Sequence, residues 1–179
     1  MRFTTRHGER DMVRRALDDL AYDFDRFELA HFVDYVAHVH TKPITVLSLP
    51  MSPVLHGAWV SSQRQEFIIV NTLVQPIHRT HIVLHEIAHL LLCHQARRIT
   101  HVLPPELLRE LESSEPSGRL RLAPSAKAQI DVDEQEAERF VYLIQDRVTP
   151  IQRLQELTCE SSSIPRLKPI TDAMGYKRS

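Results

Sequence analysis

The stretch Arg79 to His94, RTHIVLHEIAHLLLCH, constrains this chain more than any other. Its apolar residues Ile82, Val83, Leu84, Ile87, Leu90, Leu91 and Leu92 cover nearly the whole circumference of a helix, which predicts a helix buried in the middle of a domain. That helix also carries His85, Glu86 and His89, and polar groups at such depth are costly unless something satisfies them. Residues four apart share a helix face, so His85 and His89 can aim two imidazoles at one ion. Glu86 projects beside that ion, placed to deprotonate a water held there. The pattern is H-E-x-x-H, the helix-borne arrangement that zinc hydrolysis needs. The chain's eleven histidines raise the chance rate of the bare pattern, and the apolar context lowers it again.

Pro76 introduces this helix, with Ile77 next. His81 and His85 form a rival i, i+4 pair, but the residue after His81 is Ile82, so that pair has no built-in base. His81 is placed at the rim of the cleft. Cys93 reads as a small buried apolar side chain rather than a ligand. His94 reads as a polar residue of the last turn favoured by the helix dipole, with a transition-state hydrogen-bond donor as the alternative.

Before this helix the chain divides in two. Glu9 to Tyr22 places Met12, Val13, Ala16, Leu17, Leu20 and Ala21 on one helical stripe. Asp25 is expected to cap a second helix from Arg26 to about His40, with Phe27, Ala30, His31, Val33, Tyr35, Val36 and Val39 facing inward. The pair is nearly neutral, lacks a glycine turn and ends in Lys42-Pro43, which argues against a helix-turn-helix DNA reader. His31, His38 and His40 have no partner in metal-site spacing. From Ile44 the period changes to that of strands: Ile44–Leu49, then Val54–Val60 and Phe67–Asn71, the last two joined as a hairpin by Ser61 to Gln65. Gly57 in the second strand allows close approach of another backbone, or marks a bulge. If that strand is the sheet edge beside the cleft, an extended peptide can add to it.

Beyond the central helix, Pro104-Pro105 opens a short helix through about Glu112, and Ser113 to Lys127 reads as an exposed loop. Asp131 to Gln145 is a helix whose inner face is Ile130, Ala137, Phe140, Val141 and Ile144, opened by acidic residues that suit its dipole. Two histidines leave zinc short of a protein ligand. Asp131, Asp133, Glu134, Glu136 and Glu138 are the candidates, and composition does not choose among them.

The two helices together, His85-Glu86-Ile87-Ala88-His89 and Glu134-Gln135-Glu136-Ala137-Glu138-Arg139-Phe140-Val141, resemble the ImmA/IrrE family of metallopeptidases, whose H-E-x-x-H helix is followed by an E-x-E-A-N-x-F-A helix. The resemblance runs from about Ile44 to Pro150. It implies Glu134 as the third ligand of one zinc per chain and Glu86 as general base; Glu138, where the family commonly has Asn, matches the position whose acid orients a ligand histidine in the similar thermolysin-like gluzincins. Tyr142, His94 and Tyr176 are the candidate oxyanion donors. The implied fold is α+β and zincin-like: N-terminal helices (1–43), then a small sheet of about three strands, mixed or antiparallel, and two ligand-bearing helices (44–150). The remainder, 151–179, is expected to be a partly disordered extension. The implied activity is hydrolysis of a peptide bond in a protein substrate, such as a helix-turn-helix repressor in stress response or transcription regulation. The alternative is a zinc-binding interaction module or toxin–antitoxin component without turnover, which needs no base and closes its fourth coordination position with another ligand.

A formal net charge of −1 offers no bulk electrostatic attraction for nucleic acid or a membrane surface. The polar N-terminus lacks a signal-type apolar core, no run approaches a membrane span, and two cysteines, Cys93 and Cys159, do not make a disulfide scaffold. A cytoplasmic protein is expected.

Overall fold

A computed structural model of the chain describes residues 6–61, 64–94, 121–122 and 127–148. Among these, the fold is α+β. Helix α1 (Arg6–Asp19) is followed by a 3-10 turn (Phe24–Arg26), α2 (Leu29–His40), strands β1 (Ile44–Leu49), β2 (Gly57–Ser61) and β3 (Glu66–Asn71), helix α3 (Pro76–Leu91), a two-residue strand β4 (Arg121–Leu122) and helix α4 (Lys127–Arg147). The expected helix at Pro104 and the extension 151–179 lie outside the described residues, as do Cys159 and Tyr176.

Helix α1 buries Val13, Leu17 and Leu20 on one stripe and stops at Asp19, three residues before the expected end. The backbone turns through Ala21 at φ 50°, which frees Tyr22 from the helix. Its ring becomes the hub of an aromatic cluster, with centroids 4.9 Å from Phe32, 5.0 Å from Phe24 and 5.1 Å from Tyr35, all edge-to-face. Its hydroxyl pairs with His31 Nδ1 at 2.8 Å.

Helix α2 starts later than expected, at Leu29, and Asp25 does not cap it. Asp23 instead accepts the Asp25 N–H at 3.1 Å and caps the 3-10 turn, while Glu28 at the α2 N-cap makes no side-chain cap bond. The reason is Phe27. On one continuous helix, Phe27 and Phe32 would point roughly 140° apart. Breaking the helix between them sends both into the same cluster, rings 5.8 Å apart. The inward face of α2 is Phe32, Val33 and Val36, whereas Ala30, His31 and Val39 face solvent.

The sheet order is β1-β3-β2-β4. Strands β2 and β3 form the expected antiparallel hairpin, with Ala58 opposite Ile69 and Val60 opposite Phe67. Strand β1 joins parallel to β3, Val46 opposite Ile68, so the sheet is mixed. The central strand β3 is buried at every residue. Strand β4 comes from the segment expected to be loop, and it pairs with β2 at Val60 and Ser61. Strand β2 is therefore flanked on both sides at that end, and the sheet-edge expectation does not hold there. Two buried polar residues fasten the sheet. Glu66 receives Lys42 Nζ at 2.8 Å, Trp59 Nε1 at 2.9 Å and Ser61 Oγ at 3.0 Å. The Asn71 amide donates to the carbonyls of Leu55 at 2.7 Å and Ser52 at 3.0 Å, holding the turn that leads into β2.

Helix α3 lies against β2 and β3 on one side and α4 on the other. Val83, Leu84, Ile87, Ala88 and Leu90 are buried, as the apolar circumference of the sequence requires. From α4, Ala137, Phe140, Val141 and Ile144 are fully buried against them. No helix among the described residues is long and apolar enough to cross a membrane.

Candidate metal centre

Pro76 at the first position of α3 costs no hydrogen bond there and holds a helical φ, so the helix begins where the sequence places it. Helix α4 runs alongside so that Glu134 and Glu138 meet the histidine stripe of α3. His85 Nε2 lies 3.1 Å from His89 Nε2 and 3.0 Å from Glu134 Oε2, and His89 Nε2 lies 3.5 Å from Glu134 Oε1. Three ligand atoms around one tetrahedral zinc lie roughly 3.3 Å apart, given bonds of about 2.0–2.2 Å, so the spacing fits such an ion.

The donor chemistry agrees. The other nitrogen of each ring is already engaged: His85 Nδ1 faces Glu138 Oε2 at 3.5 Å, and His89 Nδ1 pairs with His94 Nδ1 at 2.8 Å. With protons on both Nδ1 atoms, two Nε2 lone pairs converge on one point beside a carboxylate. That arrangement is repulsive unless a cation sits between them. Glu138 also accepts from His81 Nε2 at 3.1 Å.

Glu86 packs against β2 at Gly57 while feeling the charges of His85 and Glu134, and is only 7% exposed. Its carboxylate accepts the Trp59 backbone N–H. Gly57 is what makes room for it. A Cβ on Gly57 would stand 2.5 Å from Ile82 Cγ2 and 2.8 Å from Glu86 Oε1. The close approach expected at this glycine is thus made by two α3 side chains rather than by another backbone.

In the ion-free chain these groups share protons unequally. Burial pushes the Glu86 carboxyl up to about 7, reinforced by the Glu134 charge and opposed by His85 and the Trp59 N–H. Burial likewise pushes His89 down to about 4, with His85 and His94 adding to it. Burial alone would lower His85, yet its hydrogen bond to Glu134 and the charges of Glu86, Glu134 and Glu138 raise it. The same bond to His85 holds Glu134 below the usual carboxylate range. His85 and Glu134 therefore favour opposite charges, each shifting the other toward its ionised form.

Three groups of side chains in this region have donor atoms close enough to hold a cation: His85, His89 and Glu134; His81, His85 and Glu138; and His94, Asp133 and Glu136. The second is the rival pair of the sequence completed by Glu138, and it draws on the same His85. Of the three, the first has the buried Glu86 beside it. No further ligand atom joins that first group among the described residues.

Two expectations are corrected here. Cys93 is exposed, not buried, and adopts a left-handed φ of 55°. It occupies the position just past the helix where glycine is usual. The Cys93 N–H bonds Leu90 O at 3.2 Å and the His94 N–H bonds His89 O at 3.0 Å, the Schellman closure of a helix end. His94 in turn is not a solvent-facing residue of the last turn. It is buried, its Nδ1 on His89 and its Nε2 on Glu136 Oε2 at 3.1 Å. Asp133 and Glu136 are buried too. Tyr142 is exposed, one turn beyond Glu138 on α4. Only the Schellman bonds bring His94 beneath His89, and a cysteine where glycine is usual hid that turn in the sequence.

No family model matches the chain, and neither a curated protein nor a solved structure does.

Proposed function

We propose that this chain is a zinc-dependent endopeptidase with a zincin-like fold, acting in the cytoplasm on a protein substrate of the kind the family resemblance implies, such as a helix-turn-helix repressor. The observation that carries the reading is a buried Glu86, within electrostatic reach of His85 and Glu134, next to the convergent group of His85, His89 and Glu134. A structural metal site needs no such base.

His85, His89 and Glu134 would hold the ion, and a divalent ion there supplies an electrophile that polarises a carbonyl and acidifies water toward neutrality. Two nitrogens and a carboxylate oxygen suit zinc. Glu86 takes a proton from the attacking water and returns it to the amine nitrogen as the peptide C–N bond breaks. A buried carboxyl whose proton affinity is raised by burial is suited to taking up and returning a proton. The Trp59 N–H holds that carboxylate in place, and Glu138 orients His85.

The test is hydrolysis of a peptide library by zinc-loaded chain, read by mass spectrometry. Cleavage that chelator abolishes and Glu86→Gln removes, with zinc content unchanged, is expected. Full zinc occupancy with no cleavage of any library member or of repressor proteins would favour the interaction-module alternative.

A further inference from the structure

Each histidine of the proposed ligand pair has a carboxylate behind it, but they reach it differently. Glu138 faces His85 directly. Behind His89 stands a second histidine: His89 Nδ1 to His94 Nδ1 is 2.8 Å, and His94 Nε2 to Glu136 Oε2 is 3.1 Å. All three side chains are at least nine-tenths buried, His89 at 2%, His94 at 8% and Glu136 at 7% exposure, so no bulk water competes for these bonds.

We propose that His94 and Glu136 are positioning residues that fix the tautomer of His89 through two successive hydrogen bonds. The proposal rests on the reading of His85, His89 and Glu134 as the ligand set. An ionised carboxylate only accepts, so Glu136 takes the His94 Nε2–H. With its proton on Nε2, His94 presents a lone pair at Nδ1, and His89 donates its own Nδ1–H to it. The His89 Nε2 lone pair is left facing Glu134 and His85. One buried charge thus decides, two rings away, which nitrogen is free to ligate. The Schellman turn supplies the geometry: the His94 N–H on the His89 carbonyl at 3.0 Å folds the His94 ring back against the ring it must meet. A polar residue behind a ligand histidine typically contributes 10–100-fold in metal affinity.

The direct test is two-bond ¹H–¹⁵N correlation of the histidine rings in metal-free wild type at neutral pH. His89 as the Nδ1–H tautomer and His94 as the Nε2–H tautomer are expected, and the opposite tautomer at either ring overturns the proposal. This holds even if the chain binds no zinc, an outcome that would refute the ligand-set reading instead. The functional test is zinc affinity by chelator competition. His94→Leu, which removes the acceptor, is expected to weaken binding on the order of 10–100-fold. His94→Gln, whose amide oxygen again accepts from His89, should restore most of the loss, and Glu136→Gln should fall between. A folded His94→Leu with wild-type affinity, or a His94→Gln no better than His94→Leu, contradicts the relay. So does a second zinc per chain that is lost in Glu136→Gln, since His94, Asp133 and Glu136 would then be ligands in their own right.

Discussion

Two glutamates, Glu66 and Glu86, are almost equally buried, at 1% and 7% exposure, and both bond to Trp59. Glu66 takes the indole N–H and adds Lys42 and Ser61, so a cation and two donors surround its charge. Among the described residues Glu86 takes only the Trp59 backbone N–H, with His85 nearby and the negative Glu134 against it, and its carboxyl is pushed up to about 7. Near-equal burial therefore leaves two carboxylates in different electrostatic surroundings. The partner set also matters, and the same tryptophan serves Glu66 with its side chain and Glu86 with its backbone.

The largest expected effect that separates the two is on turnover. Glu86→Gln should lower kcat by roughly 10²–10⁴-fold, the usual contribution of a general base, and leave zinc affinity within a few-fold. Glu66→Gln should leave kcat nearly unchanged, so a comparable loss of turnover in both variants would break the distinction. Gly57→Ala should come next. The added methyl overlaps Ile82 and the Glu86 carboxylate, so we expect a destabilisation of about 1–3 kcal/mol by thermal unfolding and a fall in kcat.

The pH dependence of stability sharpens the comparison further. The folded-state pKa of Glu86 lies above its ordinary 4.5, so the metal-free fold favours the protonated form. No penalty exists below about pH 4.5, and it grows as pH rises to about 7 and is constant above that, on the order of 3 kcal/mol in all. Metal-free Glu86→Gln should therefore gain stability over metal-free wild type across that window in denaturant titrations. A gap that shrinks with rising pH would contradict the assignment. His89 works in the opposite sense: its pKa is depressed to about 4, so its contribution is present above pH 6.5 and is lost as pH falls toward 4.

Glu66→Gln should cost roughly 1–3 kcal/mol, because Lys42 loses a charged partner and the Trp59 and Ser61 donors keep a weaker acceptor. The smallest effect is expected at Cys93→Gly, which relieves a left-handed φ and should stabilise by about 1 kcal/mol or less.

Much of the site was legible because it depends on local spacing. His85, Glu86 and His89 are fixed by one helix turn, whereas Glu134 and Glu138 stood out from three other acids only through the family resemblance; β1 spans the residues its β-branched run predicts. What was hidden depends on contacts between distant segments or on backbone turns without their usual residue. The parallel pairing of β1 with β3 skips β2, and nothing in either strand announces it. Strand β4 exists because β2 offers it an edge, not because Arg121-Leu122 has a strand pattern. Phe32 faces inward only because α2 breaks before Leu29. His94, five residues from His89, lies on no shared helix face and reaches it only through the turn at Cys93. Gly57 was visible as a close approach, but the occupant was another element's carboxylate.

The central claim is that His85, His89 and Glu134 hold the ion while Glu86 acts on what it binds. Native mass spectrometry of purified wild type, Glu86→Gln and Glu134→Gln tests it most directly. One zinc in wild type and in Glu86→Gln, with none in Glu134→Gln, is the predicted result. A Glu134→Gln variant that keeps its zinc, or a Glu86→Gln variant that loses it, would contradict the assignment.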